Sequence, residues 1–220
     1  MPTYTPTVSK EVLSRIEIAE EMHNYVLGTV PQELLLDTDQ KTIIVALFSL
    51  VVEHHGAILT LLRTGRFDGS AFALVRPLID AMYRAFWVHF CAAPHHLEAI
   101  RKGESPYPPL PNMADEVEKL MNYTGGLFTI IKPFIKSLHG YTHGGLEQLG
   151  RRFDAEGNIK ATYDDGAKIE VVSSTTSFVV MLAVAWCQIV DGKQPEQEPR
   201  SEALMARYNE LFAIPASTKG

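Results

Sequence analysis

Between Asp39 and Ala92, hydrophobic residues recur at helical spacing with a single break, Thr64-Gly65-Arg66-Phe67. So short a link turns the chain back on itself. Two long helices, expected over 39–64 and 68–92, should lie side by side as an antiparallel hairpin. Gly65 is the expected stop of the first and Asp68 the expected N-cap of the second. Within the first, IIVALFSLVV (43–52) is apolar on nearly every side, which surrounds that helix with others.

The remainder follows the same period. Helices are expected over 9–28 with Ser9 as cap, 113–123, 127–138, 165–191 and 201–213; 93–102 reads as a short helix or a loop, 146–153 resumes helical spacing, and strand signals are scarce. Pro106, Pro108, Pro109 and Pro111 make 103–111 an irregular loop. Asp154-Ala155-Glu156-Gly157-Asn158 reads as a turn, or the tip of a small hairpin within 154–164. The expected fold is all-α: one domain over 1–220, a bundle of six to eight helices with the antiparallel hairpin at its centre.

Composition narrows the function classes. A chain of 220 residues that is 46% hydrophobic buries a sizeable core and excludes disorder. Twenty basic against 26 acidic residues give a net charge of −6. That excludes a protein gripping nucleic acid over its whole surface and leaves a local basic patch. Cys91 and Cys187 stand far apart, so neither a disulfide framework nor a paired-cysteine metal knuckle is expected. The segment MPTYTPTVSKEV carries no apolar signal-peptide core, so a cytoplasmic location is expected. Residues 171–190 lack charge over a bilayer-spanning length, but Ser173, Ser174, Thr175, Thr176, Ser177 and Gln188 interrupt them. We read this segment as a central core helix, with no membrane partner. No P-loop, G-x-G-x-x-G, H-E-x-x-H, G-x-S-x-G or kinase signature is present. Nucleotide-driven and standard hydrolase chemistry therefore fit poorly.

Three constellations carry chemistry. Arg76, Asp80 and Arg84 stand at i, i+4 and i+8 in ALVRPLIDAMYRAFW and share one helix face among apolar neighbours. A charge row there must be paired, either as a structural ladder or with Arg76 turned to a cleft, where its guanidinium suits phosphate oxygens. His139-Gly-Tyr141-Thr142-His143-Gly-Gly packs two imidazoles and three glycines into seven residues, with Glu147 one turn further. Such a stretch forms either a tight interhelical turn or a site where backbone, Tyr141, Thr142 and histidines meet a ligand. Glu53-His54-His55 ends the apolar run; adjacent residues point about 100° apart, so one of the two histidines at most faces any one site. His54 is our candidate to meet the Arg76 row. The pairs Arg63/Arg66 and Arg151/Arg152 read as solvated surface or as a small phosphate-facing patch.

The runs ILTLLRTGRFDGSAFALVRPLIDAMYRAFWV and LHGYTHGGLEQLGRRF resemble bacterial all-helical families of unknown function related to the HEPN superfamily, over residues 50–153. The resemblance implies a helical hairpin presenting an arginine and an acid, closed by a later histidine segment. It further implies a homodimer and a role as a defence or toxin-type effector, in phage defence, acting on RNA. HEPN ribonucleases carry an arginine followed, after four to six residues, by the catalytic histidine. Here Leu138, Ser137 and Lys136 precede His143 at those spacings, and Phe134, Pro133 and Lys132 precede His139.

The expectation is a protein that binds RNA or a small anionic ligand in a polar cleft. Its candidate site residues are His143, His139, Arg76 and Asp80 for chemistry, with Tyr141, Thr142, Arg84, His54 and Glu147 touching the ligand, and no cofactor or resident metal. Whether it is an enzyme stays open. One alternative is a metal-independent ribonuclease using His143 or His139 as acid or base with Arg76 on the phosphate. Another is a metal-dependent hydrolase using His139, His143 and one of Glu147, Glu53 or His54.

Overall fold

The computed structural model describes residues 8–30, 37–121, 132, 138–153, 155, 157, 162–191 and 200–212, those at 147 and 191 by their backbone alone. They form α1 (Lys10–Thr29), α2 (Asp39–Thr64), α3 (Asp68–Phe90), α4 (Pro94–Arg101), α5 (Leu110–Leu120), α6 (Leu146–Gly150), α7 (Asp165–Asp191) and α8 (Arg200–Phe212). A further helical turn covers 138–142. The fold is all-α, with no strand among the described residues.

The hairpin forms for the reasons its sequence gives. Thr38 Oγ1 accepts a hydrogen bond from the Lys41 amide (3.2 Å), capping α2. Gly65, at φ +63°, closes α2 in the left-handed region that glycine occupies without strain. Helix α3 then packs along α2. Its start differs from expectation: Phe67, not Asp68, holds the cap position. The Asp68 carboxylate turns inward instead and meets Lys168 Nζ at 3.0 Å, the two side chains 6% and 10% exposed. Among the described residues Asp68 Oδ1 has no partner.

Helix α7 is packed against α1, α2, α3 and α8. Its hydroxyls bond to their own helix, which is how a serine- and threonine-rich segment can be core. Thr175 Oγ1 donates to the Val171 carbonyl (2.7 Å), Thr176 Oγ1 to Val172 (2.7 Å) and Ser177 Oγ to Ser173 (2.9 Å). By length and composition both α2 and α7 could cross a bilayer. In this fold both supply core side chains, among them Ile44, Val51 and Ile58 from α2 and Val172, Ala183 and Trp186 from α7.

A histidine pair ties α1 to this centre. His23 Nδ1 and His55 Nδ1 lie 2.9 Å apart, and His55 Nε2 lies 3.0 Å from Thr176 Oγ1. The Thr176 proton goes to Val172, so its oxygen accepts from His55 Nε2–H. His55 Nδ1 is then the acceptor for His23 Nδ1–H, and the chain is satisfied with both rings neutral. Burial lowers the His55 pKa to about 3, with the neighbouring His23 adding to the shift.

Several boundaries move. Helix α3 ends at Phe90, and α5 begins at Leu110 rather than 113, because Pro111 fits a first turn where its missing N–H costs nothing. The irregular stretch is thus 102–109. The expected helix over 127–138 lies outside the described residues save its positions 132 and 138. Part of the 154–164 turn lies outside them too, although Thr162 N donates to the Arg151 carbonyl (2.8 Å) across it.

Candidate functional site

Three segments surround a cleft of about 510 Å³. Helix α2 contributes Leu47, Leu50 and His54 at i, i+3 and i+7. Helix α3 contributes Arg76, Pro77, Asp80, Ala81 and Arg84, and the 138–142 turn with the residue after it contributes His139, Thr142 and His143. The volume lies within the usual range for small-molecule sites, roughly 300–1,000 Å³.

The charged row is only half a ladder. Arg76 Nε donates to Asp80 Oδ2 at 3.0 Å. Among the described residues this is the one partner recorded for either side chain, which leaves the two terminal amino groups of Arg76 and Asp80 Oδ1 for a ligand. Arg76 is 18% exposed and Asp80 29%, so their charges are partly shielded from water yet reachable. Arg84 does not extend the pairing. It is exposed, and its Cζ sits 5.0 Å from the Tyr107 ring centroid on the loop before α5.

A proline places the opposing wall. Pro77 lies inside α3 and has no N–H, so the carbonyl four residues back, that of Ala73, loses its helical donor. Thr142 Oγ1 lies 3.2 Å from that carbonyl and 3.0 Å from the Leu138 carbonyl. Its proton is thus committed to backbone. Thr142 lines the cleft as expected and also pins the turn onto α3. The pin holds His139 and His143 over the charged row, both exposed, with ring centroids 4.4 Å apart. The orphaned carbonyl was the signal in the sequence, and Pro77 announced it.

His54 and His55 divide as their angular separation requires, His54 to the cleft and His55 to the core. Tyr141, expected to touch a ligand, is not part of the lining. It is buried and faces away from the cleft, packing against Phe72 (5.4 Å) and Tyr163 (6.1 Å). Its side chain is also the largest influence raising the Arg151 pKa above the ordinary value. Glu147 lies in α6, but its side chain is outside the described residues. Among the described residues, no three His, Cys, Asp or Glu side chains come close enough to hold a metal ion.

Of the four arginines in the pairs Arg63/Arg66 and Arg151/Arg152, one in each pair meets a carboxylate. Arg63 Nε donates to Glu20 Oε1 at 2.9 Å, and Arg151 pairs with Asp164 at 3.4 Å. Arg152 instead packs beside Gly69, where an added Cβ would lie 3.0 Å from its Nη2 and from the Tyr163 hydroxyl. Small size at Gly69 lets the segment after the histidines close on the start of α3.

A family model described as a family of unknown function, DUF6988, matches residues 48–213. The matched span runs from within α2 through α8 and includes every cleft-lining residue except Leu47. No curated protein and no solved structure matches the chain.

Proposed function

Because the chain belongs to the DUF6988 family, whose function is unknown, we propose its role from the cleft itself: it binds an anionic, phosphate-bearing ligand there, with Arg76 as the anchor. The observation that carries this reading is the half-satisfied guanidinium. Asp80 takes Nε and fixes the plane of the group, which leaves the terminal nitrogens as a fork for two anion oxygens. Arg84 and three imidazoles on the same lining add donors, against a single carboxylate. The HEPN-like relationship, RNA as the source of the phosphate, a homodimeric state, a cytoplasmic location and a defence role belong to the same proposal. All but the location rest on the resemblance over residues 50–153.

The test is calorimetric titration of the purified chain with methylphosphonate and with a short single-stranded RNA. Arg76→Gln should weaken binding of either by at least about tenfold, a loss of roughly 1.4 kcal/mol or more. Unchanged affinity in that variant would remove the reading.

A second reading, a metal-independent ribonuclease, is favoured by one observation: an exposed imidazole pair set opposite an arginine. Imidazole is the side chain suited to move protons near neutral pH. Incubated RNA should then be cleaved in the presence of a chelator, and His143→Ala should stop the cleavage. Intact RNA after incubation with the wild-type chain would exclude this activity.

A further inference from the structure

We infer that the cleft is built for a ligand with two anionic groups about 12 Å apart, joined by an uncharged body, and that Arg84 holds the second anion. The inference rests on the binding reading above and adds to it the shape and charge pattern of the ligand.

Arg76 and Arg84 are eight residues apart on one helix. At about 1.5 Å of rise per residue their Cα atoms stand roughly 12 Å apart along the axis. Both line the same cleft. Neither is fully neutralised: Arg76 shares Asp80 through Nε, while Arg84 rests on the Tyr107 ring and has no carboxylate partner among the described residues. An aromatic face orients a guanidinium without cancelling its charge. Tyr107 is itself braced against Trp87 (5.7 Å), so Arg84 is held at the far end of the cleft.

The middle of the row has the opposite character. Asp80 sits halfway between the arginines, and its Oδ1 is without a partner among the described residues. A negative group there is repelled, and a hydroxyl or amide donor is welcome. Beside it, Leu47 and Leu50 of α2 with Pro77 and Ala81 of α3 give an apolar lining, Leu50 being 43% exposed. Anion, neutral donor-bearing body, anion is therefore the complementary sequence. Contiguous phosphates, as in pyrophosphate, would set their second charge against Asp80.

The probe is a series of straight-chain alkane bisphosphonates of increasing length, titrated into the full chain beside methylphosphonate and pyrophosphate. Affinity should rise with length to a maximum where the phosphorus atoms span about 12 Å, about tenfold or more above methylphosphonate, because the second contact is made at high effective concentration. Pyrophosphate should bind no tighter than methylphosphonate. Arg84→Gln should abolish the length preference, and Arg84→Lys should keep most of it. Equal affinity at every length, or an unchanged maximum in Arg84→Gln, overturns the two-anion inference and leaves the Arg76 reading standing. If no phosphonate binds, or if Arg76→Gln changes nothing, the Arg76 reading falls and this one with it.

Discussion

Acidification should unfold this protein through its interior, not its surface. In the folded state the His55 pKa lies near 3, because the ring is buried and its neighbour is another imidazole; unfolded it returns to about 6.5. The unfolded chain thus binds more protons across that interval. The stability due to neutral His55 is whole above pH 6.5 and is lost progressively as pH falls toward 3. The difference of about 3.5 units corresponds to something on the order of 5 kcal/mol at the acid end, a large share of an ordinary folding free energy. Burial lowers the His23 pKa as well, so its contribution has the same sign. The structural reason is the directional chain of hydrogen bonds. A proton added to His55 Nδ1 would face the proton that His23 Nδ1 already donates. Urea midpoints measured from pH 7.5 to 4 should therefore fall steeply below pH 6.5. His55→Gln offers a donor to Thr176 and an acceptor to His23 without a titrating ring, and should flatten that fall. An equally steep fall in the variant would exclude His55 as its cause.

The buried pair of Asp68 and Lys168 should give the largest single-site loss. The pair joins the first residue of α3 to the first turn of α7, nine-tenths or more shielded at each end. Asp165 adds a weaker contact at 3.9 Å and is itself half exposed. Lys168→Met leaves a carboxylate in the interior whose Oδ1 is already unpartnered, and should cost about 3–5 kcal/mol. The double change, Asp68→Asn with Lys168→Met, removes the stranded charge and should recover most of that loss. Chemical denaturation of the two variants checks both statements. A single variant as stable as wild type would show that the carboxylate finds water or a proton when its partner is removed.

These two sites show where the sequence is legible and where it is not. The ends of α2 are readable because Thr38 and Gly65 act locally, through a cap and a left-handed stop. The division of His54 from His55 follows from 100° of helix geometry. Arg76 and Asp80 are readable as a pair because four residues make one turn. The partner of Asp68 is a hundred positions away and nothing near Asp68 points to it, so local sequence offers a cap where the fold makes a buried ion pair. Tyr141 lies off the cleft lining for a related reason. Its heptad is rich in polar groups and glycine, but its ring is claimed by Phe72 and Tyr163, which come from two distant segments. Arg84 also took its partner from afar, leaving Asp80 for the ring of Tyr107. In each case the sequence shows what a side chain can do, and the packing of remote segments decides which option is taken.

The bond from Thr142 to the Ala73 carbonyl has a consequence for how such a cleft can diversify. One wall is a continuous hairpin, bound into the core along its length. The other is a short imidazole-bearing segment moored across 69 positions of chain by the Thr142 hydroxyl, with the Tyr141 ring packed on Phe72 beside it. Residues on the moored wall can be exchanged without rebuilding the hairpin, so long as the mooring is kept. The two arginines stay in place while the groups facing them vary, which gives descendants of one scaffold a route to different ligands.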